Sequence, residues 1–256
     1  MQEAVDLPSG REILRSFETL YNPETGCWHI PPWLDQPFSP DKADDWRRTY
    51  KGWSAPVERE VGHLYAALVM MLRPQTVIET GTHAGYSTLS MANALADLGG
   101  ERRIYTVDIY PAQHLFKDTD VERLVTFLTG SSLGVSMESF PAEIDMLVLD
   151  SDHRYGTIAS EINRFTPLLK VGGVLIAHDT IYYDGIALAI RQLMQSPCFE
   201  VITLPTPRQH KPQRCTGMTI VRKILPTTGN VIDFKEAYAD IEVNAPGRFV
   251  TDPSLV

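Results

Sequence analysis

Val77-Ile-Glu-Thr-Gly-Thr-His-Ala-Gly-Tyr-Ser-Thr88 is a β-branched run that ends in an acid, followed by two glycines four residues apart and then a helical pattern. The stretch predicts a strand, a tight turn and a helix N-terminus. Gly81 and Gly85 lack the Cβ that would block a ligand lying over the turn, and the free N–H groups of a helix starting near Tyr86 would face a carboxylate or phosphate. A dinucleotide loop would read Gly-x-Gly-x-x-Gly and present backbone to a pyrophosphate, whereas the spacing here is Glu-x-Gly-x-x-x-Gly. Glu79 decides between the two. A carboxylate beside the loop repels phosphate but suits a ligand carrying an ammonium group near its carboxylate, an amino-acid-like cofactor such as S-adenosylmethionine.

Working outward, strand-like and helix-like segments alternate. Strands are expected at 76–80, 103–108, 124–129, 144–150, 172–178, 199–204 and 216–222, and helices at 86–98, 111–117, 133–140, 155–169 and 185–195. Upstream, Val57, Val61, Leu64, Leu68 and Leu72 recur at helical spacing between Pro56 and Pro74. Such alternation means an α/β fold, Rossmann-like and doubly wound, with a seven-stranded, mostly parallel sheet. The connection from Pro205 to Cys215 is too short for a crossover helix, so the last strand is expected to be antiparallel. Residues 1–53, rich in Pro and Trp, read as an N-terminal arm or cap with helical pieces at 10–20 and 41–50. Residues 54–222 read as the cofactor-binding domain and 223–256 as a C-terminal arm or partly disordered tail.

Composition narrows the function. The 256 residues are 43% hydrophobic, enough for one sizeable core, and the net charge of −9 argues against nucleic acid or an anionic membrane surface as partner. Cys27, Cys198 and Cys215 are odd in number and lack any CxxC, which fits a reducing cytoplasm. The N-terminus has no signal-peptide pattern, and the longest apolar run, Leu64 to Leu72, is too short to span a bilayer. A soluble protein acting on a small molecule is expected; whether it is a monomer or a homo-oligomer is left open.

In an open parallel sheet the ligand sits beyond the carboxyl ends of the strands, and here those ends are polar: Glu79, Asp108, Gly130-Ser131-Ser132, Asp150 and His178-Asp179. Asp108 could take two ribose hydroxyls bidentately and Ser132 an adenine edge, with a helix N-cap as the competing reading of Asp108. Asp150, His178 and Asp179 form an oxygen and nitrogen ligand set from neighbouring strand ends. Two carboxylates suit Mg²⁺ or Mn²⁺, and the imidazole shifts preference toward transition metals. The competing reading makes His178 a core histidine and Asp179 a turn cap. His153, on the loop leaving the fourth strand, can reach an atom bound there and is the candidate general base, with Asp152 as its competitor.

These residues together resemble the class I S-adenosylmethionine-dependent methyltransferases. The likeness is to the small metal-assisted O-methyltransferases, a group that includes catechol and caffeoyl-coenzyme A O-methyltransferases, and in particular to macrocin/mycinose-type sugar O-methyltransferases and cephalosporin-hydroxylase-like proteins. It spans about residues 54–222 and is carried by 77–88, Tyr105-Thr-Val-Asp108, Gly130-Ser-Ser132, Leu149-Asp-Ser-Asp-His153 and Leu169-Lys-Val-Gly-Gly-Val-Leu-Ile-Ala-His-Asp-Thr180. The resemblance implies that Glu79, Gly81 and Ser87 hold the methionine end, Asp108 the ribose and Ser132 the adenine, with Gly85 and Ser131 also among the cofactor-binding residues. Asp150 borders both cofactor and metal, Asp150, His178 and Asp179 fall on the metal positions, and His153 falls on the base. Relatives with a metal usually carry Asp-Asn or Glu-Asp where this chain has His178-Asp179. The implied activity is transfer of the sulfonium methyl to a hydroxyl of a natural product, phenol or sugar. The alternatives are a metal-independent N-methyltransferase and a cofactor-binding protein without turnover.

Overall fold

The computed structural model describes residues 7–24, 27–29, 56–110, 113–207 and 215–242. Seven strands form one sheet: β1 (Thr76–Thr80), β2 (Arg103–Asp108), β3 (Val125–Thr129), β4 (Ile144–Leu149), β5 (Leu169–His178), β6 (Phe199–Leu204) and β7 (Met218–Lys223). Their order across the sheet is β3-β2-β1-β4-β5-β7-β6. The first five run parallel, and β7 pairs antiparallel with both β5 and β6. The expected seven-stranded sheet with a final antiparallel strand is therefore present. Its order reverses at β1, and the crevice between the outgoing βα loops is where such a sheet binds ligands.

Two apolar layers enclose the sheet. On one face α2 (Arg59–Leu72) and α3 (Tyr86–Leu98) bury Val61, Tyr65, Val69, Leu89 and Leu95 against β1 and β2. On the other, α4 (Tyr155–Phe165) and α5 (Asp184–Met194) bury Ile158, Ile162, Phe165, Leu188 and Leu193. The sheet's central strands are apolar on both faces, as burial on both sides requires.

Differences from the sequence expectations lie at element ends and in short connections. The stretch after Gln113 makes turns and a 3₁₀ turn at Glu122–Leu124 in place of a helix, and 133–140 yields only a 3₁₀ turn at Met137–Ser139. Segments this short gain too few backbone bonds to offset helix nucleation, and Gly134 and Pro141 bracket the second. β5 begins at Leu169, earlier than expected. Leu169 pairs with Ile144, the chain bulges through Gly172 at φ +87, and pairing resumes at Val174 with Met146. α4 stops at Phe165 because Thr166 and Pro167 follow.

In the N-terminal arm, α1 (Gly10–Glu18) packs along α3, with Gly10 N–H donating to Asp120 at 2.8 Å. Phe17 and Trp28 pack on Tyr86, the first residue of α3, with Tyr21 against Trp28, and the Tyr86 hydroxyl donates to Glu18 at 2.8 Å. The described part of this arm thus buttresses the helix that follows the glycine loop. The helical piece expected at 41–50 lies outside the described residues.

Candidate active site

The glycine loop is locked to the sheet beneath it. Gly81 N–H donates to Val107 at 2.9 Å, and a Cβ on Gly81, at φ +86, would sit 1.9 Å from the carbonyl oxygen of Asp150. No side chain but glycine's allows β1 and β4 to converge there. Gly85, also left-handed at φ +90, begins α3, whose first turn has no side-chain cap. The loop therefore ends in free helix N–H groups.

Glu79 is fully buried beside it. Ser87 donates to one carboxylate oxygen at 2.6 Å; Thr88 and Thr106 donate to the other at 2.5 and 2.6 Å. Burial pushes this carboxyl up to about 7 against those three hydrogen bonds. Asp108 accepts the N–H of His83 at 2.8 Å and that of Tyr110 at 2.9 Å, so it pins the glycine loop to the end of β2. Ser131 caps its own turn by accepting the N–H of Leu133 at 3.3 Å. Ser132 is buried and donates to Glu161, which also receives Ser151 at 2.6 Å and Thr80 at 3.3 Å. Burial pushes the Glu161 carboxyl up to about 7 as well.

At the ends of β4 and β5 charge meets charge. Asp150, His153 and Asp179 each offer a ligand atom, and these atoms lie within 4.8 Å of one another. His153 Nε2 is 2.9 Å from Asp179 Oδ2, and its ring stacks on Tyr183 with centroids 3.8 Å apart and planes 8° apart. Asp179 holds this position in the left-handed region at φ 61, a strained conformation that short acids tolerate best. Burial alone would lower the His153 pKa, but the hydrogen bond and charge of Asp179, then Asp150 and Glu242, raise it above its ordinary 6.5. Asp179 is correspondingly held well below the usual carboxylate range by His178 and His153, against its burial.

His178 occupies a layer beneath this group. Its Nε2 is 2.8 Å from Glu58 Oε2, and its Nδ1 lies 3.3 Å from Asp150 and 3.5 Å from Asp179 without a directed hydrogen bond to either. Burial opposes its charge, but Asp179, Asp150 and Glu58 outweigh burial and raise its pKa well above the ordinary value. Of the residues expected to hold a metal, Asp150 and Asp179 face His153, while His178 stays beside both acids with its Nε2 turned to the buried Glu58. Asp152 faces away, bonded to Arg154 at 2.8 Å and Thr157 at 2.8 Å.

Sequence reasoning missed Glu58, Glu161 and Tyr183. Glu58 is fully buried and accepts hydroxyls from Thr206, at 3.1 Å, and Thr216. An acid just before an apolar helix gave no sign of a partner 120 residues away. An acid on the apolar face of α4, at Glu161, was a readable signal.

The Methyltransferase domain family matches residues 78–180, the span from β1 through Asp179 that carries every one of these strand ends. Residues 78–180 are thus similar to a methyltransferase domain. The chain is 29% identical over 126 residues to a rhamnosyl O-methyltransferase of Mycobacterium tuberculosis, an alignment covering 45% of this chain and 50% of the relative. It is 27% identical over 136 residues to a putative caffeoyl-CoA O-methyltransferase of Arabidopsis thaliana, covering 49% and 55%. The chain thus spans about half the length of the curated relatives it matches. Among solved structures, an O-methyltransferase of Bacillus cereus in complex with SAH superposes at TM-score 0.56 with 19% identity, covering 66% of this chain and 82% of that one. The O-methyltransferase of tomaymycin synthesis from Streptomyces achromogenes, in complex with SAM, gives 0.58 with 16% identity, covering 84% and 96%. At these identities the structural likeness is one of fold. No helix among the described residues is long and apolar enough to cross a membrane.

Proposed function

We propose that the protein transfers the methyl group of S-adenosylmethionine to a hydroxyl of a small-molecule acceptor, with His153 as general base and Asp179 as the residue that orients it. The observation that carries this reading is the 2.9 Å contact between His153 Nε2 and Asp179 Oδ2 at the mouth of a methyltransferase crevice. The bound cofactor supplies an electrophilic sulfonium methyl. The free N–H groups at the start of α3 suit the cofactor's carboxylate, and the carboxylates of Glu79 and Asp108 suit its ammonium and ribose. Ile109 and Leu133 directly follow Asp108 and Ser132 and are 57% and 37% exposed. They offer apolar surface to the faces of a purine. On the acceptor side His153 takes the hydroxyl proton, and the negative charge of Asp179 stabilises the imidazolium that results.

One observation favours a second, metal-assisted reading: two carboxylates and an imidazole within 4.8 Å are a donor set for a divalent ion, with the nitrogen favouring Mn²⁺ or a later transition metal over Mg²⁺. Asp150, His153 and Asp179 would hold it, and such an ion would lower the acceptor hydroxyl's pKa. His153 then serves as ligand and not as base. A cytoplasmic location belongs to the same reading, supported by free Cys198 and Cys215.

The test is calorimetric titration with S-adenosylhomocysteine, followed by methyl-transfer assays on phenol and sugar acceptors with and without chelator. Binding with chelator-resistant transfer supports the His153 base, and chelator-sensitive transfer restored by Mn²⁺ supports the metal reading. A folded protein that binds no cofactor at millimolar concentration ends both.

A further inference from the structure

The loops carrying His153 and Tyr183 run straight into α4 and α5, and neither helix is capped by its own N-cap side chain. The C-terminal segment performs that service for both. Tyr155 N–H donates to the carbonyl of Ile241 at 2.8 Å, Gly156 N–H to Ala239 at 2.9 Å, and Gly185 N–H to Glu242 at 3.1 Å. One short run of backbone, 239–242, therefore ties together the helix starts behind the two stacked rings. The run is itself anchored: Ile232 is fully buried, Asn163 receives the N–H groups of Val231 and Ile232 at 2.9 and 2.8 Å, and Lys235 N–H donates to the Tyr155 hydroxyl at 3.1 Å.

Gly185 is the point where this tie meets the catalytic loop. A Cβ there would lie 2.1 Å from the carbonyl oxygen of Ile241 and 2.5 Å from that of His153. Glycine is a poor residue for the first turn of a helix, where alanine would be favoured, so the requirement is close approach rather than helix formation. We propose that Gly185 is a positioning residue: by letting the 239–242 strap press against the His153 backbone, it sets where the His153 ring stands relative to Asp179. The C-terminal arm is then a wall of the catalytic site. This inference rests on the reading of His153 as the base.

The test is Gly185→Ala in the full chain, with three readouts: turnover, S-adenosylhomocysteine affinity, and the ring ¹⁵N and ¹H NMR signals of His153, assigned by comparison with His153→Gln. The expected result is a displaced His153 signal, a turnover lower by about 10²-fold, the usual cost of misplacing a reacting group by an ångström, and cofactor affinity within about twofold of wild type. An unchanged His153 signal with normal turnover overturns the proposal. So does a loss of cofactor affinity in step with turnover, which would mark general damage. If Gly185→Ala does not fold, Gly156→Ala carries the same test, since its Cβ would meet the Ala239 carbonyl oxygen at 2.9 Å. Should wild type bind no cofactor, the methyltransferase reading fails, while displacement of the His153 signal still decides the role of the strap.

Discussion

At the ends of β1 and β2 the acids are matched by neutral donors, whereas at the ends of β4 and β5 they are matched by imidazoles. Glu79 is held by three hydroxyls and Asp108 by two backbone N–H groups. Asp150 and Asp179 instead share His153 and His178, with Glu58 closing the arrangement from below. Hydroxyl and N–H donors hold a carboxylate in place, which suits binding. Facing acids and imidazoles hold protons that can move, which suits chemistry. The two ends of one crevice thus differ in what their acids face.

The sharpest way to break this contrast is His153→Ala. Loss of a general base lowers turnover by about 10²–10⁴-fold, and cofactor affinity should stay near wild type because the adenosine half is untouched. Because Asp179 raises the His153 pKa, the acidic limb of the wild-type rate profile should lie above pH 6.5, and the variant should lack it. A near-normal rate in the variant would make His153 a bystander.

Stability against pH probes the other half. Glu79 and Glu161 both titrate at about 7 against an ordinary 4.5. Between those values the folded protein keeps protons that the unfolded chain has released, so stability should fall as pH rises, by up to about 3 kcal/mol for each acid. His178 adds to the same trend, since a raised imidazole pKa contributes stability below pH 6.5 that is lost as pH rises through its folded value. The acids held low, such as Asp179 and Asp145, matter only below about pH 4. Urea unfolding at pH 5 and pH 8 should show the fall, and Glu161→Gln should flatten part of it; an equally steep fall in that variant would place the titration elsewhere.

Cofactor binding comes next in size. S-adenosylhomocysteine at a hundredfold excess over its dissociation constant should stabilise the protein by roughly 2.7 kcal/mol, visible as a rise in Tm. Asp108→Ala should erase most of that rise, and His153→Ala very little. The smallest effect expected is from Thr88→Val, which removes one of the three donors to Glu79 and should cost about 1–2 kcal/mol in chemical denaturation.

Much of this molecule was legible in its sequence for identifiable reasons. β1, β2 and α3 begin and end where the pattern placed them, because β-branched runs, the Gly81–Gly85 turn and a long apolar periodicity are strong local signals. The helices expected at 111–117 and 133–140 are turns and a 3₁₀ turn where the structure describes them, because short segments take their shape from neighbours rather than from propensity. The polar strand ends were legible as one set because parallel strands deliver their ends to a single edge.

By itself, the sequence determined the winding of the sheet, the antiparallel last strand and which five strand ends meet at the crevice, since these follow from periodicity and connection length. Only the tertiary structure decided which imidazole faces the crevice. From the residues alone His178 is grouped with Asp150 and Asp179 and His153 stands apart as a base; in the structure both rings reach the acids, and Glu58, brought from the start of α2 to 2.8 Å from His178, holds that ring on the buried side. The same holds for the C-terminal strap, whose carbonyls reach helix starts more than 50 residues upstream. Contacts between residues so distant in the chain leave no local signal, because their energy exists only once the core has brought them together.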